Sequence, residues 1–198
     1  MRIYMVRHGQ SVGNEQRLFV GHSDYPLTPM GEDQALAVAL KLSQRPEFNI
    51  KRCYSSDLIR AYRTAEIITK ALTIPIIKEP GLREQHMGAL EGLTFDEAML
   101  RYPDNVKAML KDWTKASGIE GGETYSDMKV RAMSVIERLI IQDENILIVS
   151  HSGAMRAILT GLLDAPNELG NKFYFEHGKY SVIETNKDGA CMLRAYNV

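Results

Sequence analysis

The sequence predicts an α/β protein, a three-layer α/β/α sandwich around a mainly parallel central sheet. Short apolar runs alternate along the chain with segments of helical periodicity, and this alternation is typical of parallel sheets covered by helices. The strongest run, residues 146–151 (I-L-I-V-S-H), is continuous and rich in β-branched side chains, as expected for a strand buried on both faces. A chain of 198 residues is long enough to bury such a core.

Six short segments are predicted as strands. They are residues 3–6, 53–54, 74–77, 146–151, 181–185 and 192–196. The last two flank N-K-D-G at residues 186–189, which is a hairpin turn signal. These two segments are therefore predicted to pair with each other as an antiparallel hairpin.

Caps and apolar periodicity predict the helices. Thr28 followed by Pro29 indicates a helix that continues to about residue 43, because proline favours the first helical position. Ser56 or Asp57 is expected to cap the next helix, which runs to Leu72 with its apolar residues on one face. Further helices are predicted after the capping box of Thr94 and Glu97, at residues 126–140 and at residues 153–163.

The chain is expected to form one domain over residues 1–198, with a lid or insertion at about residues 93–125. The stretch from residue 102 to 125 carries Pro103, the lone Trp113 and the loop sequence S-G-I-E-G-G-E, so its pattern is the weakest in the chain. We expect this segment to lie over one edge of the sheet.

Charge and composition restrict the partners. The formal net charge is −1, so no overall basic field would attract nucleic acid or anionic lipid, and a site for an anion must be local. No apolar run approaches the roughly 18 residues of a membrane span. Cys53 and Cys191 lack metal-binding spacing and are expected to be reduced thiols. With no signal peptide recognised, the expected location is the cytoplasm.

Basic side chains follow two of the predicted buried strands. Arg7 and His8 follow the first strand, and His151 ends the strongest one. Ligands of open α/β sheets bind beyond the carboxyl ends of such strands. If Arg60 joins them, two guanidinium groups about 5 Å apart would repel by roughly 3 kcal/mol at an effective dielectric constant of 20. A bound dianion would remove this repulsion, and phosphate matches the planar fork of arginine.

The same residues suggest phosphoryl transfer. A neutral, oriented histidine is a nucleophile toward phosphorus, and cations and backbone N–H groups stabilise the charge of the transition state. Ser152 and Gly153 follow His151 and open a helix, so their N–H groups are expected to contact the phosphoryl oxygens.

Five blocks of sequence resemble the histidine phosphatase superfamily, which contains cofactor-dependent phosphoglycerate mutases and many small phosphatases. The blocks are R-H-G-Q-S-x-x-N (7–14), S-S-D-L-I-R-A-Y-R-T-A (55–65), L-R-E-Q-H-M-G-A-L-E-G (82–92), G-G-E-T (121–124) and S-H-S-G (150–153). They occur in the order of that family, and the resemblance covers nearly the whole chain. It implies a phosphoglycerate mutase-like fold.

The resemblance implies a role for each matching position. His8 is similar to the nucleophile that becomes phosphohistidine, and Glu84 is similar to the acid that protonates the leaving oxygen and later activates water. A phosphate pocket is implied for Arg7, Arg60 and His151, with Asn14 as a further donor. No metal and no cofactor are implied, because cationic side chains take the place of magnesium.

Other positions have less definite roles. Ser11 and Gly21 are expected to line the pocket through backbone groups. Arg63 and Thr64 are expected to support their helix. His22, His86, Lys179 and Tyr180 could contact the leaving group or simply fill loops, and these alternatives stay open.

Hydrolysis is the favoured reaction, on a small phosphorylated metabolite that the sequence does not identify. Mutases of the family typically carry arginine and tyrosine where this chain has Gln85 and Met87, so the means of holding a substrate carboxylate is missing at this place. The G-G-E-T block is common in compact phosphatases such as alpha-ribazole phosphatase. The alternatives are a cofactor-dependent phosphoglycerate mutase and a phosphate-binding protein without turnover. A homodimer is possible.

Overall fold

The computed structural model describes residues 1–115, 119–186 and 189–198. Its six strands form one sheet in the order β3-β2-β4-β1-β5-β6, in which the first four are parallel and the last two are antiparallel to their neighbours. The strands are β1 Arg2–Arg7, β2 Arg52–Ser55, β3 Ile76–Lys78, β4 Ile146–Ser150, β5 Tyr180–Thr185 and β6 Cys191–Ala195. The predicted mainly parallel sheet is confirmed.

Helices cover both faces of this sheet. They are α1 Val12–Glu15, α2 Pro29–Ser43, α3 Ile59–Leu72, α4 Phe95–Arg101, α5 Pro103–Lys111, α6 Tyr125–Ile140 and α7 Ser152–Leu162. Short 3₁₀ turns lie at Pro46–Phe48, Pro80–Leu82, Gly88–Leu90, Trp113–Lys115 and Asn167–Lys172. Within the described ranges, none of the helices has the length and apolar character needed to cross a membrane.

Alternation along the strands divides the core into two layers. Met5 of β1 and Ile148 of β4 pack against α6 and α7, whereas Val6 and Val149 pack against α2 and α3 on the opposite face. Successive residues of a strand point to opposite faces, so these four side chains, all buried, require two helical layers. The expected three-layer sandwich is confirmed.

Residues between α3 and α6 form a third apolar cluster away from the sheet. Helices α4 and α5 bury Ala98, Val106 and Met109 against Met87 and Leu90. Part of the predicted insertion at 93–125 is thus built around its own small core, while Ala116 to Gly118 lie outside the described residues.

The start of α3 and the start of the third strand differ from the predictions for a structural reason. Neither Ser56 nor Asp57 caps α3; instead, the Ile59 N–H donates to the Asp24 carboxylate at 2.6 Å, and Leu58 occupies the cap position. The third strand begins at Ile76, not at Ile74, because α3 continues to Leu72 and its C-cap, Thr73, is left-handed. The predicted hairpin of β5 and β6 is confirmed, and the residues 187–188 of its turn lie outside the described part of the chain.

The register of β1 and β4 decides where the functional residues meet. Arg7 lies opposite Ser150 in this parallel pair, and Ser55 of β2 lies opposite Val149. His8 and His151 therefore leave the sheet side by side at its carboxyl edge, with Ser56 next to them. Because parallel strands end at the same edge, three distant stretches of sequence converge at one place.

Candidate active site

Three histidine rings form the centre of the site. The His8 ring centroid lies 5.0 Å from that of His151 and 5.2 Å from that of His177. His8 and His151 are buried, and the convergence predicted for these two residues is present. His177, which precedes β5, was not among the predicted site residues.

The hydrogen bond made by His8 determines which of its nitrogens is free. Its Nδ1 lies 2.7 Å from the carbonyl oxygen of Gly9, which can only accept, so Nδ1 carries the proton. In the neutral ring Nε2 then has the free lone pair. Burial, followed by the charge of Arg60, lowers the pKa of His8 well below its usual value, so the ring is neutral at physiological pH. A neutral ring with a free Nε2 is the form a nucleophile requires.

Glycine follows His8 because a helix packs directly on the backbone there. A Cβ atom on Gly9 would lie 2.1 Å from the carbonyl oxygen of Gly31 in α2. The Gly9 N–H donates to the Thr64 hydroxyl of α3 at 3.1 Å. Thr64, expected only to support its helix, thus also holds the loop that follows the first strand.

Arg7 and Arg60 are held by carbonyl oxygens. Arg60 is 1% exposed, and its two terminal nitrogens donate to Ser23 O at 2.9 Å and Gly21 O at 2.7 Å. Arg7 donates to Phe175 O at 2.7 Å. Burial lowers the pKa of Arg60 to about 10, and burial also lowers that of Arg7, because the charged form loses its hydration. Both groups remain charged at neutral pH. Neither makes an ion pair with a carboxylate among the described residues, although the charge of Glu84 acts on both.

His151 is oriented by a serine from the neighbouring strand end. Its Nε2 lies 2.8 Å from the Ser56 hydroxyl, and its Nδ1 is buried with no partner among the described residues. Burial, with the charge of Arg60 as the next cause, lowers the pKa of His151 well below its ordinary value. Ser56 was expected only as a helix cap, and its position beside His151 follows from the strand pairing.

The Glu84 carboxylate lies at the N-terminus of α7. Its oxygens accept the N–H groups of Gly153, Ala154 and Gln85, each at 3.1 Å. A Cβ atom on Gly153 would lie 2.4 Å from Glu84 Oε1, so the close approach requires glycine there. The Gly153 N–H was predicted to contact phosphate; in this structure it is occupied by Glu84.

The backbone of Glu84 is held by a second set of hydrogen bonds. The Glu84 carbonyl oxygen accepts from Arg131 at 2.6 Å and from His22 Nε2 at 2.7 Å. Arg131 also makes a two-point ion pair with Glu123 of the G-G-E-T block, at 2.9 and 2.6 Å. His22, for which two roles were open, therefore fixes the segment that carries Glu84.

The side-chain amide nitrogen of Asn14 is available to donate a hydrogen bond. Its carbonyl oxygen accepts the N–H and the hydroxyl of Ser11 at 3.1 and 2.9 Å, which identifies the oxygen and leaves the amide nitrogen without a partner among the described residues. Asn14 lines the cavity described below, whereas Ser11, expected to line it through backbone groups, caps α1 and is not part of its wall.

A cavity of about 380 Å³ joins these groups. Its polar wall contains Arg7, His8, Asn14, Arg60, Glu84, Ser152 and Arg156, together with Gly21 and Gly153. Its apolar wall contains Leu18, Phe19, Val20, Met87 and Trp113, and Tyr174 also lines it. Gly21 and Ser152 are thus part of the cavity wall.

Buried polar atoms without protein partners are concentrated around this cavity. Atoms of this kind occur on five lining residues: Arg7 Nε, Arg60 Nε, Ser152 Oγ, Arg156 Nε and Trp113 Nε1. Native interiors leave few such atoms, and a group of them indicates a place where a ligand supplies partners. In the parts of the chain that the structure describes, no three His, Cys, Asp or Glu side chains converge to hold a metal ion.

The structure also places the remaining residues with open roles. Tyr180 is buried in the core against Phe48, so the idea that it approaches a leaving group is wrong. It lies in β5 opposite Val6 and does not line the cavity. His86 packs edge-on against His22, with 4.8 Å between ring centroids. Lys179 is half-buried and does not line the cavity.

Comparison with known proteins identifies the family. The model of the histidine phosphatase superfamily (branch 1) matches residues 3–198, and the chain belongs to this family. The expectation that the chain is a phosphatase of this superfamily is confirmed.

Curated relatives and solved structures are similar over most of their length. A probable phosphoglycerate mutase GpmB of Escherichia fergusonii is 36% identical over 84% of this chain and 76% of its own. The phosphoglycerate mutase-like protein 4 of Arabidopsis thaliana is 35% identical over 79% of this chain and 68% of its own. A putative alpha-ribazole-5'-P phosphatase of Escherichia coli has a TM-score of 0.88 at 30% identity, with 100% of this chain and 96% of that chain covered. A mycobacterial glucosyl-3-phosphoglycerate phosphatase has a TM-score of 0.89 at 26% identity, with 100% and 99% covered.

Replacement of His177 with asparagine should reduce the acid sensitivity of the fold. Burial and then the charge of Arg7 lower the pKa of His177 from 6.5 to about 4, while its Nδ1 donates to the His8 carbonyl at 2.7 Å. The unfolded chain binds this proton below about pH 6.5 and the folded protein only near pH 4, so the free energy of unfolding falls as the pH decreases between these values. His177→Asn keeps a donor and removes the titration, and the fall should be smaller by about 3 kcal/mol.

Urea unfolding at a series of pH values measures this difference. Above about pH 7.5 the His177 ring is neutral in both the folded and the unfolded wild-type chain. The difference in the free energy of unfolding between wild type and variant should therefore be constant there, which serves as the control. Parallel curves from neutral pH down to pH 4 would contradict the assignment.

Proposed function

We propose that this protein is a metal-independent phosphomonoesterase that acts in two steps through phosphohistidine at His8. The observation that carries the proposal is the orientation of His8, whose Nδ1–H is engaged by Gly9 O while its ring adjoins a cavity with two unpaired arginines. A phosphoryl dianion would neutralise Arg7 and Arg60 and provide the partners that they lack.

In the first step His8 Nε2 attacks phosphorus. A P–N bond forms, the P–O bond to the leaving group breaks, and Glu84 donates a proton to the departing oxygen. In the second step Glu84 takes a proton from water, whose oxygen attacks phosphorus as the P–N bond breaks, and inorganic phosphate leaves. Arg7, Arg60 and the Asn14 amide stabilise the charge on the equatorial oxygens in both steps.

Hydrolysis is favoured over isomerisation by the surroundings of Gln85. Its side chain is 2% exposed and donates to the Glu123 carbonyl at 2.9 Å, away from the cavity wall. No cation therefore stands at this position to hold the carboxylate of a phosphoglycerate. The mutase reading keeps one observation in its favour, which is the name carried by the curated relatives.

Alanine in place of His8 should abolish the covalent intermediate. We expect the unmodified protein, mixed with a phosphomonoester and quenched, to carry an acid-labile phosphoryl group that His8→Ala lacks, because His8 is the histidine that lines the cavity beside the two arginines. His86→Ala serves as the matched control and should still form the intermediate, since its ring does not line the cavity. Full turnover by His8→Ala would rule out the assignment.

Incubation with 3-phosphoglycerate and a trace of bisphosphoglycerate separates the two reactions. We expect the release of inorganic phosphate to exceed the formation of the isomer, because the carboxylate is not held at Gln85. Isomer formation faster than phosphate release would establish the mutase. If phosphomonoesters of a broad panel bind but none releases inorganic phosphate, the protein is a phosphate-binding protein without turnover.

Replacement of Glu84 with glutamine should slow the reaction of an alkyl phosphate and that of a nitrophenyl phosphate at different steps. An alkyl phosphate needs a proton on its leaving oxygen, so phosphoenzyme formation should slow by about 10²–10⁴-fold. Nitrophenyl phosphate releases a stable anion, so its initial burst should persist while the steady-state rate falls, because water activation is lost. Rapid-quench and stopped-flow measurements distinguish these phases, with the exposed Glu15→Gln as the charge-matched control. An equal loss of burst rate for both leaving groups would contradict the role of Glu84.

A further inference from the structure

A largely buried carboxylate outside the cavity binds the loop on which Arg60 rests. Glu91 follows the 3₁₀ turn at Gly88–Leu90, and its side chain is 14% exposed. Its Oε1 accepts the N–H of His22 and its Oε2 accepts the hydroxyl of Ser23, each at 2.8 Å. Glu91 does not line the cavity. Any effect of this carboxylate on a bound phosphoryl group must therefore pass through the residues that it contacts.

One peptide unit joins Glu91 to Arg60. The N–H of His22 and the carbonyl group of Gly21 belong to the same peptide unit, which is planar and trans, so they point in opposite directions. The N–H donates to Glu91 at 2.8 Å, and the carbonyl oxygen accepts from Arg60 at 2.7 Å. Hydrogen bonds in such a chain polarise and strengthen one another. Glu91 therefore orients and strengthens an acceptor of the Arg60 guanidinium group.

Ser23 provides a second connection between the same two residues. Its hydroxyl donates to Glu91, while its carbonyl oxygen accepts from Arg60 at 2.9 Å. The loop of residues 21–23 is thus anchored at both of the places where it contacts the guanidinium group. A Cβ atom on Gly21 would lie 2.1 Å from Glu91 Oε1, so the loop packs closely on the carboxylate.

The same carboxylate reaches the segment that carries Glu84. Glu91 Oε1 also accepts the N–H of Met87 at 3.0 Å, and the Glu84 carbonyl oxygen accepts from His22 Nε2 at 2.7 Å. The contacts that place Arg60 and the backbone of Glu84 therefore meet at one side chain.

Backbone hydrogen bonds join these segments independently of the Glu91 side chain. The Gly92 N–H donates to Phe19 O, and the Phe19 N–H donates to Leu93 O, each at 2.9 Å. The chain after Glu91 therefore stays attached to the residues before the loop when this side chain is changed. We expect a substitution at position 91 to disturb residues 21–23 and to leave the fold in place.

The position of the Glu91 carboxylate matters more than its charge. Burial lowers the pKa of Arg60 to about 10, and the charge of Glu91 opposes this only after those of Glu84 and Asp24. Among the described residues, no arginine or lysine pairs with Glu91, and the basic group within 4 Å of it is His86 Nε2, at 3.9 Å. Its close partners are two backbone N–H groups and a hydroxyl, which are neutral donors.

We propose that Glu91 is a positioning residue, which fixes the loop of residues 21–23 so that two carbonyl groups hold Arg60 where it binds the phosphoryl group. This inference rests on the proposed phosphatase function and deepens it, because it assigns the residue that preorganises one phosphate-binding arginine. A preorganised cation stabilises the transition state without having to reorient during the reaction. Arg7 is held separately, by the carbonyl oxygen of Phe175.

Two substitutions at position 91 separate position from charge. Glu91→Gln removes the charge but keeps an acceptor oxygen for the two N–H groups, while its amide group can donate to the Ser23 hydroxyl. Glu91→Asp keeps the charge and shortens the side chain by one methylene group. We expect Glu91→Gln to bind inorganic phosphate nearly as the wild type does. Glu91→Asp should weaken this binding and lower kcat/KM for nitrophenyl phosphate, each by about 10- to 100-fold.

Calorimetric titration with inorganic phosphate measures the binding, and urea unfolding establishes the conditions under which each variant is folded. Glu137→Asp makes the same change at an exposed carboxylate of α6 and should match the wild type. Ser23→Ala removes only one of the two connections and is the milder variant. It should weaken phosphate binding in the same direction by a smaller factor.

A double-mutant cycle tests whether the effect passes through Arg60. Arg60→Lys keeps a positive charge but loses the planar fork that the two carbonyl groups contact. If Glu91 acts through Arg60, Glu91→Asp should weaken phosphate binding far less in the Arg60→Lys protein than in the wild type. Equal factors in the two backgrounds would overturn the inference, because Glu91 would then act on the site by another route.

The possible results separate this inference from the function on which it rests. If the wild-type protein binds phosphate but hydrolyses no member of a broad panel of phosphomonoesters, the phosphatase proposal fails, and the phosphate titrations still decide the role of Glu91. If esters are hydrolysed and Glu91→Asp binds phosphate as tightly as the wild type, the positioning role is overturned while the phosphatase stands. Equal losses in Glu91→Gln and Glu91→Asp would also overturn it, because charge and not position would then matter. A loss confined to Glu91→Asp and Ser23→Ala supports it.

Discussion

The site depends on buried positive charges that make no ion pair with a carboxylate among the described residues. Arg60 is held by the carbonyl oxygens of Ser23 and Gly21, and Arg7 by that of Phe175. Carbonyl dipoles fix the position of a guanidinium group but do not cancel its charge, so the field in the cavity remains available to a ligand. Burial, and next the charge of Arg60, lowers the pKa values of the neighbouring His8 and His151, so both rings are neutral.

One carboxylate lies among these cations on the described wall without neutralising them. Glu84 is retained by three backbone N–H groups, two of them at the N-terminus of α7, where the helix dipole favours a negative charge. Its own carbonyl oxygen is fixed by Arg131 and His22. The backbone thus supplies the partners of the acid, which makes no ion pair with Arg7 or Arg60. The two guanidinium groups thus keep their charge unpaired although a carboxylate lies on the same cavity wall.

Strand order explains why residues so distant in sequence lie together. The parallel register places Arg7 opposite Ser150, so the next residues, His8 and His151, emerge as neighbours. The adjacent β2 brings Ser56 against His151. The antiparallel β5 returns the chain along β1, and His177, just before it, donates to the His8 carbonyl. Each contact follows from the arrangement of the sheet and not from proximity along the chain.

The sequence by itself determined the α/β class, the main strands, most helices and the candidate residues of the site. Apolar periodicity and caps are local signals, and the motifs around His8, Arg60, Glu84 and His151 are contiguous, so both can be recognised along the chain. The predicted cap of α3 was wrong because the Ile59 N–H donates to Asp24, which lies 35 residues away in the sequence. Local sequence patterns do not indicate such contacts.

Only the tertiary structure decided which contacts single residues make at the site. It revealed His177, Ser56, Arg131 and Arg156 at the site, placed Tyr180 in the core and gave the Gly153 N–H to Glu84. Whether an arginine is structural or binds a ligand depends on whether a carboxylate from elsewhere in the chain reaches it. That is a matter of packing between distant elements, and no spacing within the sequence specifies it.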